Sequence, residues 1–249
     1  LIRIIPIRVS PDIKKGDDLG AIIADAAKRN NCRILDGDIM VIAQKIVSKA
    51  EGRIVDLRSV RPRRMANRLA KEQRKDPRVI EVILRESASI VKAKSGIIIS
   101  ETRHGFVCAN AGVDQSNAEG KESAILLPVD PDRSARRLSD SIERQAGAKI
   151  AVIIADTFGR PFRNGQTNTA IGVTGLRPIK SYIGKRDMYG RRLWVTEIAV
   201  ADEIASAAEL VMGKSERIPV AIVRGYGFEK SSDATIRELI RPKKSDLFR

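Results

Sequence analysis

The chain has 249 residues, 43% of them hydrophobic and 31% charged, enough apolar surface for a folded core and unlike an intrinsically disordered chain. Its 46 basic residues against 31 acidic ones leave a formal charge of +15, which favours anionic partners, either nucleic acid or phosphorylated small molecules. Two cysteines (Cys32, Cys108) and one histidine (His104) exclude a disulfide framework and a Cys/His zinc centre, and no apolar run approaches a membrane span.

The basic residues are spread along the chain, and aromatic residues, at 4%, are too few for a stacking surface. Both facts argue against nucleic acid as the partner, and a solvated basic surface explains much of the charge. The first nine residues alternate Ile with Arg instead of forming a signal-peptide core, so a cytoplasmic location is expected.

In chain order, Asp17 or Asp18 caps a helix carrying Leu19, Ile22, Ile23 and Ala26 on one face. The turn Asp36-Gly37-Asp38 leads into Ile39-Met40-Val41-Ile42-Ala43, a continuous apolar run that reads as a buried strand. Gln44-Lys45-Ile46-Val47-Ser48-Lys49 follows directly. Lys45 and Lys49 stand four apart, so a helical turn puts both ammonium groups on one face; with Ser48 they suit polyphosphate, or equally a solvated helix.

Residues 61–75 are highly charged with sparse apolar side chains and suggest a peripheral helical insertion between two lobes. Asp76-Pro77 and Asp130-Pro131 each place a capping Asp before a Pro at the first helical position. Apolar runs at 106–109, 150–155 and 219–223 read as further buried strands, residues 181–192 as an exposed loop or hairpin, and an Ala-rich helix is predicted over 196–212, stopping at Gly213. Strands and helices alternate without the even beat of βαβ units. An α+β architecture of mixed sheets and packed helices follows, as one domain over 1–249.

Two stretches carry the chemistry. Ala109-Asn110-Ala111-Gly112-Val113-Asp114-Gln115-Ser116-Asn117 and Ile153-Ile154-Ala155-Asp156-Thr157-Phe158-Gly159-Arg160 each run from an apolar strand into an acidic residue beside small residues. Asp114 and Asp156 at strand ends, with Thr157 and Asn117 as neutral oxygens, suit Mg²⁺ or Mn²⁺ with positions left open for phosphate. An Asp after a strand is as often only a turn or helix cap. Met212-Gly213-Lys214-Ser215 lacks the first glycine of a P-loop and follows a helix, leaving a turn whose exposed backbone groups can touch a ligand. His104, between Arg103 and Gly105, reads more as a turn residue than as a general acid or base.

These residues resemble a known family. Ser48-Lys49-Ala50-Glu51-Gly52-Arg53, Arg103-His104-Gly105, Asn110 through Asp114 to Asn117, Asp156-Thr157-Phe158-Gly159-Arg160 and Val200-Ala201-Asp202-Glu203-Ile204-Ala205 occur in the order and near the spacing of coenzyme F420-0:L-glutamate ligases. The resemblance covers nearly the whole chain. It implies a GTP-dependent amide ligase that adds L-glutamate to coenzyme F420-0, often followed by a further γ-linked glutamate, with GDP and phosphate as products.

It further implies a homodimer with a two-lobed α+β fold, in the stand-alone form, needing Mg²⁺ or Mn²⁺, two ions in all, assisted by K⁺. Carried over residue by residue, it places metal on Asp114, Asp156 and Thr157. It places nucleotide near Ser10, Pro11, Asp12, Ile13, Gln44, Lys45, Lys49, Asn117, Met212 and Gly213, and makes Asp114, Asp156 and Lys49 catalytic. Whether Glu216 adds a metal ligand stays open, because that turn varies in length. Carboxylates and lysines alone would equally allow a metal-dependent nucleotide phosphohydrolase, and the charge a basic RNA-binding protein.

Overall fold

The computed structural model describes residues 1–10, 12–116 and 122–246. β1 (Arg3–Ile7) leads through a loop to α1 (Leu19–Arg29), capped by Asp18, whose carboxylate accepts from the Ala21 amide at 3.1 Å. β2 (Ile39–Ala43) is almost wholly buried, and α2 (Gln44–Ala50) follows it without a turn. Next come β3 (Ile54–Asp56), α3 (Arg64–Gln73) and α4 (Pro77–Glu86), then β4 (Ser87–Lys94), β5 (Ile97–Thr102), β6 (Val107–Ala109) and β7 (Ser123–Ile125). α5 (Pro131–Ala146) precedes a long hairpin of β8 (Ala151–Arg160) and β9 (Arg163–Leu176). The chain continues with β10 (Lys180–Ser181), β11 (Glu197–Ile198), α6 (Val200–Met212), β12 (Val220–Arg224) and β13 (Lys230–Ser231).

Six strands form the main sheet in the order β1-β12-β2-β8-β9-β13. β2 and β8 pair in parallel and their neighbours antiparallel, and the inner strands are buried on both faces, which is why they read as unbroken apolar runs instead of alternating ones. Both α5 and α6 pack on β9, and α1 packs on α5. At Gly172 a Cβ would lie 2.5 Å from the Pro131 carbonyl oxygen, so the start of α5 meets the strand at a distance only glycine permits. The side chains of Asp132 and Asp202 accept from the β9 amides of Val173 and Ala170, each at 2.9 Å, tying both helices to that strand.

Buried hydrophobic side chains fall into two clusters, one around the main sheet and a second that includes Leu57, Leu69, Ile80, Ile83, Ile98 and Leu126. The second holds one fully buried acid, Glu81, whose carboxylate accepts from Arg63 at 2.8 Å and Arg85 at 3.0 Å. Without these partners its desolvation would be uncompensated.

The expected α+β class is present, with several strands and both Asp-Pro helix starts where the sequence puts them. Three expectations shift. The strand expected at 150–155 runs on to Arg160, so Asp156 lies within β8, opposite Thr169, and not at a strand end. Asp114 follows a 3-10 turn over Asn110–Gly112 and forms an isolated bridge with Ile125 instead of ending β6. The helix expected over 196–212 begins at Val200, because Glu197 and Ile198 pair with Ser181 and Lys180 to close the hairpin around 181–192. Residues 61–75 do contain a helix, α3. Among the described residues no helix is long and apolar enough to cross a membrane.

Candidate functional site

Asp114 is delivered by an unusual turn. Asn110, Ala111 and Gly112 all have positive φ, at 55°, 54° and 70°, and the first two are not glycine. Two contacts hold the turn: the Lys75 ammonium donates to Asn110 Oδ1 at 3.2 Å, and Gly112 lies against Leu127, where a Cβ would not fit. Beyond it, the amide and carbonyl of Asp114 exchange hydrogen bonds with those of Ile125 at 3.0 and 2.7 Å. Lys45, the second residue of α2, reaches across to pair with Asp114 Oδ2 at 2.7 Å and donates to Ser116 Oγ at 2.6 Å. Burial raises the Asp114 carboxyl, but Lys45 and the Ser116 amide and hydroxyl outweigh it and hold the group below its ordinary range.

Asp156 lies on β8 close enough to feel the charge of Asp114 and for its own charge to be felt at the Cys108 thiol on β6. Burial first, and then the Asp114 charge, push the Asp156 carboxyl up to about 6, against the Thr157 amide, Lys45 and Lys214, which lower it. Burial and the Asp156 charge push the Cys108 thiol up to about 12, so it stays a thiol at neutral pH and is no nucleophile.

Next along β8, the Thr157 hydroxyl donates to Asn168 Oδ1 on β9 at 2.8 Å, and the Asn168 amide nitrogen donates to Glu209 Oε2 on α6 at 2.8 Å. Lys214, past the end of α6, closes the ring: its ammonium pairs with Glu209 Oε1 at 2.7 Å and donates to Thr157 Oγ1 at 2.8 Å. Asn168, Glu209 and the part played by Lys214 were not expected from sequence. The one available signal was the glycine turn after Met212, which here carries Lys214 to Thr157.

The structure thus draws Lys45, Asp114, Asp156 and Thr157 together, with the turn at Met212 and Gly213 beside them through Lys214. Lys49 lies on the same helix as Lys45, half-buried, with no ion pair or hydrogen bond from its ammonium among the described residues. The loop holding Ser10, Asp12 and Ile13 continues to the end of that helix, where the Gly16 amide donates to the Ala50 carbonyl at 2.9 Å and Lys15 packs over Gly52. Ser10 and Asp12 are exposed, and Ile13 is in the core. Pro11 and Asn117 lie outside the described residues.

Gln44 is buried, its amide nitrogen donating to Ser48 Oγ at 2.6 Å and to the Leu126 carbonyl at 2.9 Å. Ser48 is itself fully buried, which removes it from phosphate contact and makes it part of the packing that fixes α2. Glu216 folds back on its own turn, accepting from the Ser215 amide at 2.9 Å and hydroxyl at 2.8 Å. His104 is a turn residue, its Nε2 2.9 Å from the Pro128 carbonyl oxygen.

A divalent cation is tested by the chemistry of these donors. Among the described residues no three His, Cys, Asp or Glu side chains gather as a metal cluster. Two carboxylates do lie near each other, however, and the charge of Asp114 adds to burial in raising the Asp156 carboxyl. A hard cation between Asp114 and Asp156 removes that repulsion with oxygen ligands only, so the pair fits Mg²⁺ or Mn²⁺.

Comparison with known proteins bears on what such a site serves. The family model described as F420-0:Gamma-glutamyl ligase matches residues 7–225. A protein of Methanothermobacter thermautotrophicus named coenzyme F420:L-glutamate ligase is 46% identical over 250 residues, spanning 100% of this chain and 99% of its own length. Proteins of the same name from Methanopyrus kandleri and Methanocaldococcus jannaschii are 45% and 47% identical; they cover 100% and 87% of this chain, and 98% and 86% of their own lengths.

Proposed function

The chain belongs to the F420-0:gamma-glutamyl ligase family, and from that premise we propose that it joins L-glutamate to coenzyme F420-0 at the expense of GTP, then adds a further γ-linked glutamate. The observation that carries the reading is the Asp114 and Asp156 pair, flanked on one side by Lys45 and on the other by Lys214. Two acids suited to a hard cation, between fixed ammonium groups, form a site for transferring a phosphoryl group.

Direct attack of an amine on a carboxylate fails because the carboxylate oxygen is a poor leaving group. In the proposed sequence a coenzyme carboxylate oxygen attacks the γ-phosphorus of GTP, the bond to GDP breaks, and an acyl phosphate forms. The glutamate amine then attacks the acyl carbon, expels phosphate and loses a proton. A Mg²⁺ or Mn²⁺ ion held by Asp114 and Asp156, with K⁺ assisting, would neutralise charge on the phosphate oxygens.

The chain's own part is positional. α2 presents Lys45 and Lys49 on one face, with the Lys49 ammonium unpaired among the described residues and so open to phosphate, and the loop that carries Ser10, Asp12 and Ile13 reaches the end of that helix at Lys15 and Gly16. Thr157 and Lys214 border Asp156 on the other side. Excess basic charge favours GTP, the phosphodiester coenzyme and glutamate alike. The same reading makes the protein a cytoplasmic homodimer of two-lobed subunits, each one ligase domain over 1–249, with the two hydrophobic clusters as the cores of the lobes.

Incubation with F420-0, GTP, Mn²⁺ and glutamate tests the proposal through product mass. A coenzyme heavier by one or more glutamyl residues, with GDP formed in step, is expected. Unchanged coenzyme beside steady GTP cleavage would instead identify a phosphohydrolase.

A further inference from the structure

We infer that Lys214 is itself the second cation of this site, so that the chain takes one divalent ion, between Asp114 and Asp156, and no second ion at Thr157. The inference rests on the proposed ligase site and concerns how its charge is supplied. The ring of Thr157, Asn168, Glu209 and Lys214 is complete in its donors and acceptors. The Thr157 hydroxyl gives its proton to Asn168 Oδ1 and accepts from the Lys214 ammonium, while the two carboxylate oxygens of Glu209 accept from Asn168 and from Lys214. A metal ion on Thr157 would have to take the place that the ammonium holds, leaving Glu209 without one partner.

Two further features keep Lys214 there. Gly213 ends α6 with φ 60° and ψ −165°, a conformation open to glycine, which turns the following residue back along the last helical turn. The helix terminus itself, rich in unsatisfied carbonyl oxygens, attracts a cation. The ammonium also keeps a proton donor free beyond those it gives to Glu209 and Thr157, since lysine has three. That third donor is suited to a phosphate oxygen, and the ammonium stands near enough to Asp156 for its charge to lower that carboxyl.

The test is the stoichiometry of Mn²⁺ alone, read from the electron paramagnetic resonance of the unbound ion, with no substrate present. Wild-type protein is expected to bind one Mn²⁺ per chain. Lys214→Glu replaces the ammonium with a carboxylate beside Thr157 and Glu209, and is expected to bind two. Two ions per wild-type chain would overturn the inference without need of a variant, and so would a folded Lys214→Glu protein that still binds one. No bound ion in either protein would remove the premise that Asp114 and Asp156 hold a cation. Because this readout needs neither GTP nor coenzyme, its failure is distinct from failure of the product-mass assay, which alone bears on the ligase reaction.

Discussion

Lys45 and Asp114 form an ion pair that joins α2 to the loop after the Asn110 turn, at 2.7 Å with both side chains partly exposed. The pair lowers the Asp114 pKa, so its contribution to stability is present above the ordinary carboxylate value and lost as pH falls below it. Lys45→Met should therefore destabilise the metal-free protein at pH 7 by about 1 kcal/mol, after allowance for solvent screening, and by less at pH 3. Urea unfolding at both pH values checks this; an equal loss at both would assign Lys45 a packing role only.

Asp156 should behave with the opposite sign. Its folded pKa is raised from 3.8 to about 6, so the native state binds the proton more tightly and stability falls as pH rises from about 4 to 6. Asp156→Asn is expected to make the metal-free protein more stable at pH 7, on the order of 2–3 kcal/mol, with the gain fading below pH 4. The same substitution should cost at least about a hundredfold in ligase turnover, roughly 3 kcal/mol of transition-state stabilisation. A variant that unfolds identically to wild type from pH 4 to 7, or turns over normally with saturating Mn²⁺, would take Asp156 out of the site.

Lys49→Ala removes an ammonium group with no partner among the described residues. The melting temperature should hardly move, whereas GDP should bind roughly tenfold more weakly, about 1.4 kcal/mol. Calorimetric titration with GDP decides between a phosphate ligand and a solvated surface lysine.

Gly172→Ala serves as a probe of the fold apart from chemistry. The added methyl would press on the Pro131 backbone at the start of α5, which cannot yield as a flexible side chain can. A loss of about 1–3 kcal/mol in unfolding free energy is expected. Wild-type stability would show that α5 is free to shift on β9.

The order of bond making is open to trapping. If the coenzyme carboxylate is phosphorylated first, GTP cleavage should require F420-0, because a site shaped for the carboxylate positions water poorly. Hydroxylamine in place of glutamate should then give a coenzyme hydroxamate. Phosphate release measured with each component omitted checks this, and rapid cleavage of GTP alone would sink the acyl-phosphate route.

What could be read from sequence followed from burial. β2, the inner half of β8 and β12 are continuous apolar runs because both faces are covered, and the Asp-Pro pairs mark α4 and α5 because capping is a local interaction. The outer half of the β8 and β9 hairpin escaped notice: Thr157, Gly159 and Arg160 face Asn168, Gln166 and Arg163 in a half-exposed ladder with no apolar period. The site divides in the same way. Asp114, Asp156 and Lys45 stand beside apolar runs that betray their position. Asn168 and Glu209 lie within regular elements, where a polar residue looks like solvated surface; the register of β8 with β9 sets Asn168 opposite Thr157, and the packing of α6 on β9 brings Glu209 to Asn168.

The parallel pairing of β2 with β8 sets a condition on how the chain acquires its structure. Ile39 lies opposite Ala151, so the central sheet closes only after everything from α2 to α5 has been looped between them. That long-range closure predicts slow folding relative to a chain of local contacts. It also makes the intervening segment tolerant of change in length, since doubling a flexible loop costs about 0.6 kcal/mol of closure entropy. Insertions at exposed turns such as Ser95-Gly96 should therefore be accepted by the fold, while the two paired strands admit none.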